Sequence, residues 1–469
     1  MAAQLNLPLE RPVVNSPVSD DNSDQTVTVT PPSKTLTLAL NSPEGIDCYG
    51  NERKALLDQG KFYNNPVLSD IKLVVGGQKY YSHKLILVKC SDVFERMFSS
   101  DWSDENLKEV ELKEDSICIG VFPRFLKFLY TNHIKLNTDN SLPILILADK
   151  YNIVDLKNVC INFASTCIIP KLQLKDVFHI WFQYATKCYH QTLITCSVQT
   201  LSDKMEDITS TVEWETEWMN LDQDQLIEFL KSSELIIKDE YALWKATIKW
   251  LNAPQNVEKI QENLKKVLCY IRFPMMVPEQ LCEIESSAIV EQNTELFQHH
   301  LKSAYKYHSL PLTTRANMKE FSSSAFLLRN YSDLRWDKRL IIPKYSTLPK
   351  GEEVSLRFAT RASSFPAQTW EWELKISPKG FSPTCDDLRT ILYSNLILDQ
   401  PRPVEYLLSV VGSDQILQSV CGRKNFTKAR YSIDTELEKK ISVSDLMTSN
   451  SPLLVNDCLH LQIHLKPVE

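Results

Sequence analysis

Between Ser69 and Leu87 the chain reads SDIKLVVGGQKYYSHKLIL, and few folds accommodate that order of residues. Ile71, Leu73 and Val75 alternate with Lys72 and Val74, the two-residue period of a strand with one buried face. Gly76 and Gly77 supply two residues that tolerate positive φ, so a tight hairpin is predicted to return through Lys79, Tyr80 and Tyr81. His83 and Lys84 then open an apolar helix. Strand, glycine turn, strand and helix follow without a catalytic signature, as in the front of an interaction domain.

Further on, CSDVFERMFSSDW, FLKFLYTNHIKL and ILADKYNIVDLKNVC follow in order. Together with Asp70, His83-Lys84, Ser91, Phe94, Phe125, Leu129-Tyr130, Ala148-Asp149 and Tyr151 they make residues 69–160 resemble a BTB/POZ domain. The resemblance implies an α/β fold that forms homodimers, with the helix before the first strand packed across the two-fold. A helix pattern over Glu52 to Tyr63 occupies that place, so Leu56, Leu57 and Phe62 are the expected dimer contacts. The competing reading is that these three side chains cap their own core.

After Cys160 the pattern turns helical. Val177, Phe178, Ile180, Trp181, Tyr184 and Ala185 recur near the 3.6-residue period after a break at Pro170. Trp218, Leu221, Leu226, Phe229 and Leu230 form a second apolar face, and Trp244, Thr247, Ile248 and Leu251 a third behind Asp239, the expected N-cap. DEYALWKATIKWL followed by IRFPMMVPEQL resembles the BACK domain, with Leu296, Tyr305, Tyr307 and His308 as its closing helix. That resemblance covers residues 168–310.

Beyond the helices the period becomes two. Trp370, Trp372, Leu374 and Ile376 alternate with Glu371, Glu373 and Lys375, and Leu459, Leu461, Ile463 and Leu465 alternate with His460, Gln462 and His464. Both runs read as half-buried strands of an antiparallel sandwich. WELKISPKG and LLVNDCLHLQIHL resemble the TRAF-like or MATH fold. The expected fold class is therefore multidomain α+β: an N-terminal tail over 1–45, BTB/POZ over 46–165, an all-α BACK domain over 166–310, a linker over 311–325 and a TRAF/MATH-like β-sandwich over 326–469. No blade period of kelch type is present.

Charge and composition narrow the function. The formal charge of −7 argues against a phosphate-binding surface, so no nucleic-acid partner is expected. The twelve cysteines contain no C-x-x-C pair and read as reduced thiols, with no structural zinc expected. Residues 1–45 carry Pro8, Pro12, Pro17, Pro31, Pro32 and Pro43 among polar residues, too little apolar area to offset ordering. No secretory signal is read at the start and no apolar run approaches a membrane span, so a cytoplasmic or nuclear home is expected.

A phosphate cradle, a paired acid and base, and an activated nucleophile are all missing, so neither catalysis nor a cofactor is expected. The BTB and BACK resemblance implies that the chain docks a cullin-3 scaffold of a RING ubiquitin ligase while the sandwich holds a protein substrate. In that family an apolar residue, any residue and a glutamate after the Met-Phe pair enter the cullin. Met97-Phe98 leads here to Trp102-Ser103-Asp104-Glu105, so Trp102, Asp104 and Glu105 are the cullin-contact candidates, with Asp104 standing where the family has glutamate. The Trp-Gly-Phe segment of the MATH peptide groove is missing, which leaves Tyr406 and Phe426 as groove candidates. Two other classes stay open: a secreted scaffold related to galectin-binding BTB and BACK proteins, for which Asn330-Tyr331-Ser332 and Asn425-Phe426-Thr427 supply sequons, and a transcriptional co-regulator.

Overall fold

A computed structural model describes residues 50–99, 108–364, 367–380, 387–394, 402–426, 441–447 and 451–468. In the first block, β1 (Ile71–Val75) pairs antiparallel with β2 (Gln78–Ser82) and parallel with β3 (Glu109–Leu112). Gly76 and Gly77 make the hairpin turn at φ 55° and 81°. A Cβ on Gly76 would also come within 2.7 Å of Ile119 Cγ2, so the position calls for glycine on two counts. Ile71, Leu73 and Val75 are buried in one cluster with Phe125, Leu129 and Ile144 of the helices Phe122–Thr131 and Thr138–Lys150.

The second block is helical through Thr294–Ser309. The indole of Trp218 donates to the Ala246 carbonyl at 2.9 Å and that of Trp250 to the Leu221 carbonyl at 2.8 Å. These bonds let both large rings be buried without orphaning an N–H, and they tie Val212–Met219 to Glu240–Leu251. Asp239 caps the second of these helices, accepting from the Ala242 amide at 2.7 Å. One expectation changes: Val177–Phe182 forms a π-helix. Its wider turn rotates Ile180 to the surface while Val177, Phe178 and Trp181 stay buried.

Two short strands link this block to the third, with β4 (Ile236–Ile237) parallel to β5 (Asn330–Tyr331). The remaining strands are β6 (Asp337–Ile342), β7 (Val354–Ser364), β8 (Ala367–Ser377), β9 (Asp387–Ser394), β10 (Arg402–Val411), β11 (Ile416–Phe426), β12 (Ile441–Ser442) and β13 (Leu459–Pro467). They form two antiparallel sheets ordered β11-β10-β13-β6 and β12-β9-β8-β7. On β8 the expected alternation holds: Trp370, Trp372, Leu374 and Ile376 face the core, where the two indoles stack at 4.4 Å. The architecture is a multidomain α+β chain, with BTB-type α/β, BACK helices and antiparallel sheets in turn.

On β13 the half-buried expectation fails. Leu459, Leu461, Ile463 and Leu465 point into the sandwich, yet Gln462 and His464 on the opposite face are buried as well. The reason is docking. Gln462 accepts from the Leu328 amide and donates to the Phe326 carbonyl, and the His464 ring lies beside Tyr307 of the closing BACK helix. The helix Leu312–Asn317 covers β10 and β11, with Leu312 packed on Leu407 and Cys421. One outer sheet face is thus consumed against the helical block. No helix among the described residues is long and apolar enough to cross a membrane.

Candidate interaction surfaces

The BTB-type front is organised by hydrogen bonds to conformationally fixed positions. The Asp70 carboxylate accepts from the Lys84 amide at 2.8 Å and so caps the helix Lys84–Cys90. His83 is buried, with Nδ1 at 2.9 Å from the Tyr130 hydroxyl and Nε2 at 2.8 Å from the Val67 carbonyl. Both ring nitrogens are occupied, so His83 is a structural residue. Ser91 accepts from the Phe94 amide and donates to the Tyr151 carbonyl, holding the Phe94 ring stacked on Tyr151 at 4.6 Å.

The dimer candidates separate by burial. Phe62 sets its ring edge-on to His83 at 5.8 Å and is half-buried, Leu56 is half-buried, and Leu57 is 63% exposed. Apolar exposure continues close to His83, with Val67, Leu68 and the 82% exposed Leu85. Trp102, Asp104 and Glu105 lie outside the described residues, as does the tail over 1–45. The helix Asp92–Phe98 and β3 are the described elements on either side of Trp102 to Glu105 in the sequence.

The groove candidates are corrected. Tyr406 is 2% and Phe426 7% exposed, and both belong to the sandwich core. The Phe426 ring stands edge-on to Trp372 at 5.0 Å, and Tyr406 lies across from Gly422, in the space a side chain there would need. Rings held between two sheets are not available to a peptide. Among the described residues, the sheet face left open is instead the outer side of β7, β8 and β9, where Arg357, Ala359, Glu371, Glu373 and Tyr393 edge a cleft of about 420 Å³. There Arg357 pairs with Glu373 at 3.1 Å and the Lys375 ammonium lies 5.9 Å from the centre of the Tyr393 ring.

The joint between helices and sandwich carries an ionic centre that sequence reading missed. Glu240, at the start of its helix and fully buried, accepts from Arg329 Nε at 2.9 Å, from the Arg272 amide at 2.9 Å and from the Tyr331 hydroxyl at 2.7 Å. Arg329 Nη2 adds a bond to the Tyr270 carbonyl at 2.9 Å, and Arg272 Nη1 one to the Leu327 carbonyl at 3.0 Å. Burial by itself would raise the Glu240 carboxyl, but the two guanidiniums outweigh it and hold it below the usual carboxylate range. Arg272 is pushed down to about 9 by burial and by its neighbour Arg329. Arg335 pairs with the half-buried Asp337 at 2.6 Å beside this centre and donates to the Met275 carbonyl. The only signal in the sequence was the acidic pair Asp239-Glu240, whose partner Arg329 stands 89 residues away.

The Asn330 side-chain amide donates to the Glu234 carbonyl at 2.9 Å within the same joint.

Three families match the chain in the order of its blocks: the BTB/POZ domain over residues 60–168, the domain described as BTB And C-terminal Kelch over 179–285, and the BTBD17 TRAF domain over 326–390. The chain is therefore a BTB and BACK domain protein with a C-terminal TRAF domain. It is similar to BTB/POZ domain-containing protein 17 of Xenopus laevis, 25% identical over 410 residues that cover 83% of each chain. The same protein of Xenopus tropicalis is 24% identical over 82% of this chain and 83% of its own. Kelch-like protein 24 of Rattus norvegicus is 25% identical over 222 residues, 46% of this chain and 34% of the relative.

Proposed function

We propose that the protein is a non-catalytic adaptor: a BTB-mediated homodimer that docks the cullin-3 scaffold of a RING ubiquitin ligase through its BTB and BACK domains and holds a protein substrate on its sandwich. The observation that carries this reading is the joint described above. A substrate domain on a loose tether samples many distances, whereas one locked through Glu240, Arg329 and β13 keeps its cargo at a fixed place relative to the scaffold. The substrate face is the outer side of β7, β8 and β9, since the other sheet is covered by the helical block. A dimer presents two such faces, so a weak motif repeated in a target is held by valence.

Calorimetric titration with the cullin-3 N-terminal domain, with light scattering for stoichiometry, tests the proposal. Sub-micromolar binding at two cullins per dimer supports it, and no heat at tens of micromolar refutes it. Trp102→Ala is expected to weaken binding by more than about 1 kcal/mol without dissociating the dimer.

A further inference from the structure

At the boundary between the BTB and BACK domains, three side chains from distant parts of the sequence converge. Asp149 lies near the end of the helix Thr138–Lys150, Cys188 closes the helix Gln183–Lys187, and His190 precedes the helix Gln191–Ser202. One ligand atom from each lies within 4.8 Å of the other two. His190 Nε2 is 2.7 Å from Asp149 Oδ2, and the Tyr184 hydroxyl donates to the same oxygen. What aims Cys188 and His190 the same way is the residue between them: Tyr189 takes φ 56°, unusual for a bulky side chain, and the His190 amide bonds back to the Ala185 carbonyl at 2.9 Å.

We propose that Asp149, Cys188 and His190 form a binding site for a divalent cation of the zinc class. A thiolate, an imidazole and a carboxylate are the donor set that a borderline-soft cation selects over magnesium or calcium. Around a tetrahedral ion with bonds of about 2.0–2.3 Å, ligand atoms stand roughly 3.3–3.8 Å apart, so this trio needs only small side-chain shifts. Water takes the fourth position, and the exposed Cys188 leaves a path from solvent. On binding, the Cys188 thiol releases its proton to solvent. The imidazole carries its remaining proton on Nδ1, which frees the Nε2 lone pair for the metal. The nearest cation to the carboxylate is Lys157, 4.0 Å from Asp149 Oδ1 on the side away from the His190 contact. Bound this way, the ion bridges the two domains and fixes their angle.

The test uses the full chain, stripped with a chelator and titrated with cobalt(II). The parent protein is expected to show the thiolate-to-cobalt charge-transfer band and the visible bands of four-coordinate cobalt, both displaced by zinc. Exposed Cys167, Cys269 and Cys282 offer other thiols, so the assignment rests on comparison. Cys188→Ser and His190→Gln, each checked for native circular dichroism, are expected to lose one equivalent of cobalt and the associated zinc-dependent rise in Tm. Equal stoichiometry and spectra in parent and both variants overturn the proposal. So does a parent without the thiolate band, in which case the cluster is a hydrogen-bonded hub.

Discussion

Replacing Glu240 by glutamine removes one negative charge and almost no volume, and it leaves the guanidiniums of Arg272 and Arg329 facing each other in a buried site. The carboxylate accepts from Arg329, Tyr331 and the Arg272 amide, and a glutamine has only one oxygen to offer them. Removing one partner from a buried ionic centre costs about 3–5 kcal/mol, most of it the uncompensated charge left behind. At about 2–4 °C per kcal/mol the helical and sandwich unit should melt about 6–20 °C lower. Arg329→Met makes a sharper comparison. It leaves Glu240 and Arg272 as a balanced pair and loses mainly charge-assisted hydrogen bonds, about 2–3 kcal/mol. The double variant should therefore be less destabilised than the sum of the two, by at least about 1 kcal/mol, because the methionine removes a cation that the glutamine left unpaired. Urea unfolding followed by tryptophan fluorescence measures all three. Strict additivity, or a Glu240→Gln loss below about 1 kcal/mol, would refute the electrostatic account.

Other outcomes follow from single positions. His464 is buried with neither ring nitrogen hydrogen-bonded among the described residues, and burial, aided by Arg315 and Arg335 against Asp337, pushes it down to about 4. The unfolded chain takes a proton there near its ordinary 6.5 and the folded one does not, so stability is full above that pH and is lost as pH falls toward 4, on the order of 3 kcal/mol in all. His300, His308 and His460 are depressed in the same direction, so the slope is assigned by its reduction in His464→Gln. Gly422→Ala places a Cβ 2.5 Å from the Tyr406 hydroxyl and should cost about 1–3 kcal/mol, read as a lower urea midpoint. Leu57→Glu should shift the proposed homodimer toward monomer in light scattering while leaving the monomer fold intact, since that side chain is largely exposed; an unchanged mass would remove Leu57 from the proposed seam.

Local periodicity reported the elements well where one face meets solvent. Trp370 to Ile376 alternates in sequence and in space because, among the described residues, the outer side of β8 carries charged pairs such as Lys375 with Glu353. The same period misjudged Gln462 and His464, because a polar side chain buried by a neighbouring domain looks identical in sequence to one in water. Tyr406 was misread for a different reason: it shares the inward set of Val404, Leu408 and Val410, and its strand period could have placed it in the core. Glu240 with Arg329, and Asp149 with His190, were invisible because their spacing is set by tertiary structure. The mixed set of Asp149, Cys188 and His190 has no short sequence spacing, because Asp149 stands on an earlier helix than the other two.

The face that receives β13 has an order-of-synthesis consequence. Phe326 and Gln462, which meet in the finished joint, are 136 residues apart, and Phe321 and Tyr307 are covered in the same neighbourhood. At ribosomal rates of about 5–20 residues per second, the helical block waits roughly 7–27 s for the strand that shields this aromatic surface. During that interval Tyr307, Phe321 and Phe326 lack the strand that meets their cluster in the finished joint. Slow codons between Phe326 and Leu459 would lengthen the time this aromatic surface stays uncovered.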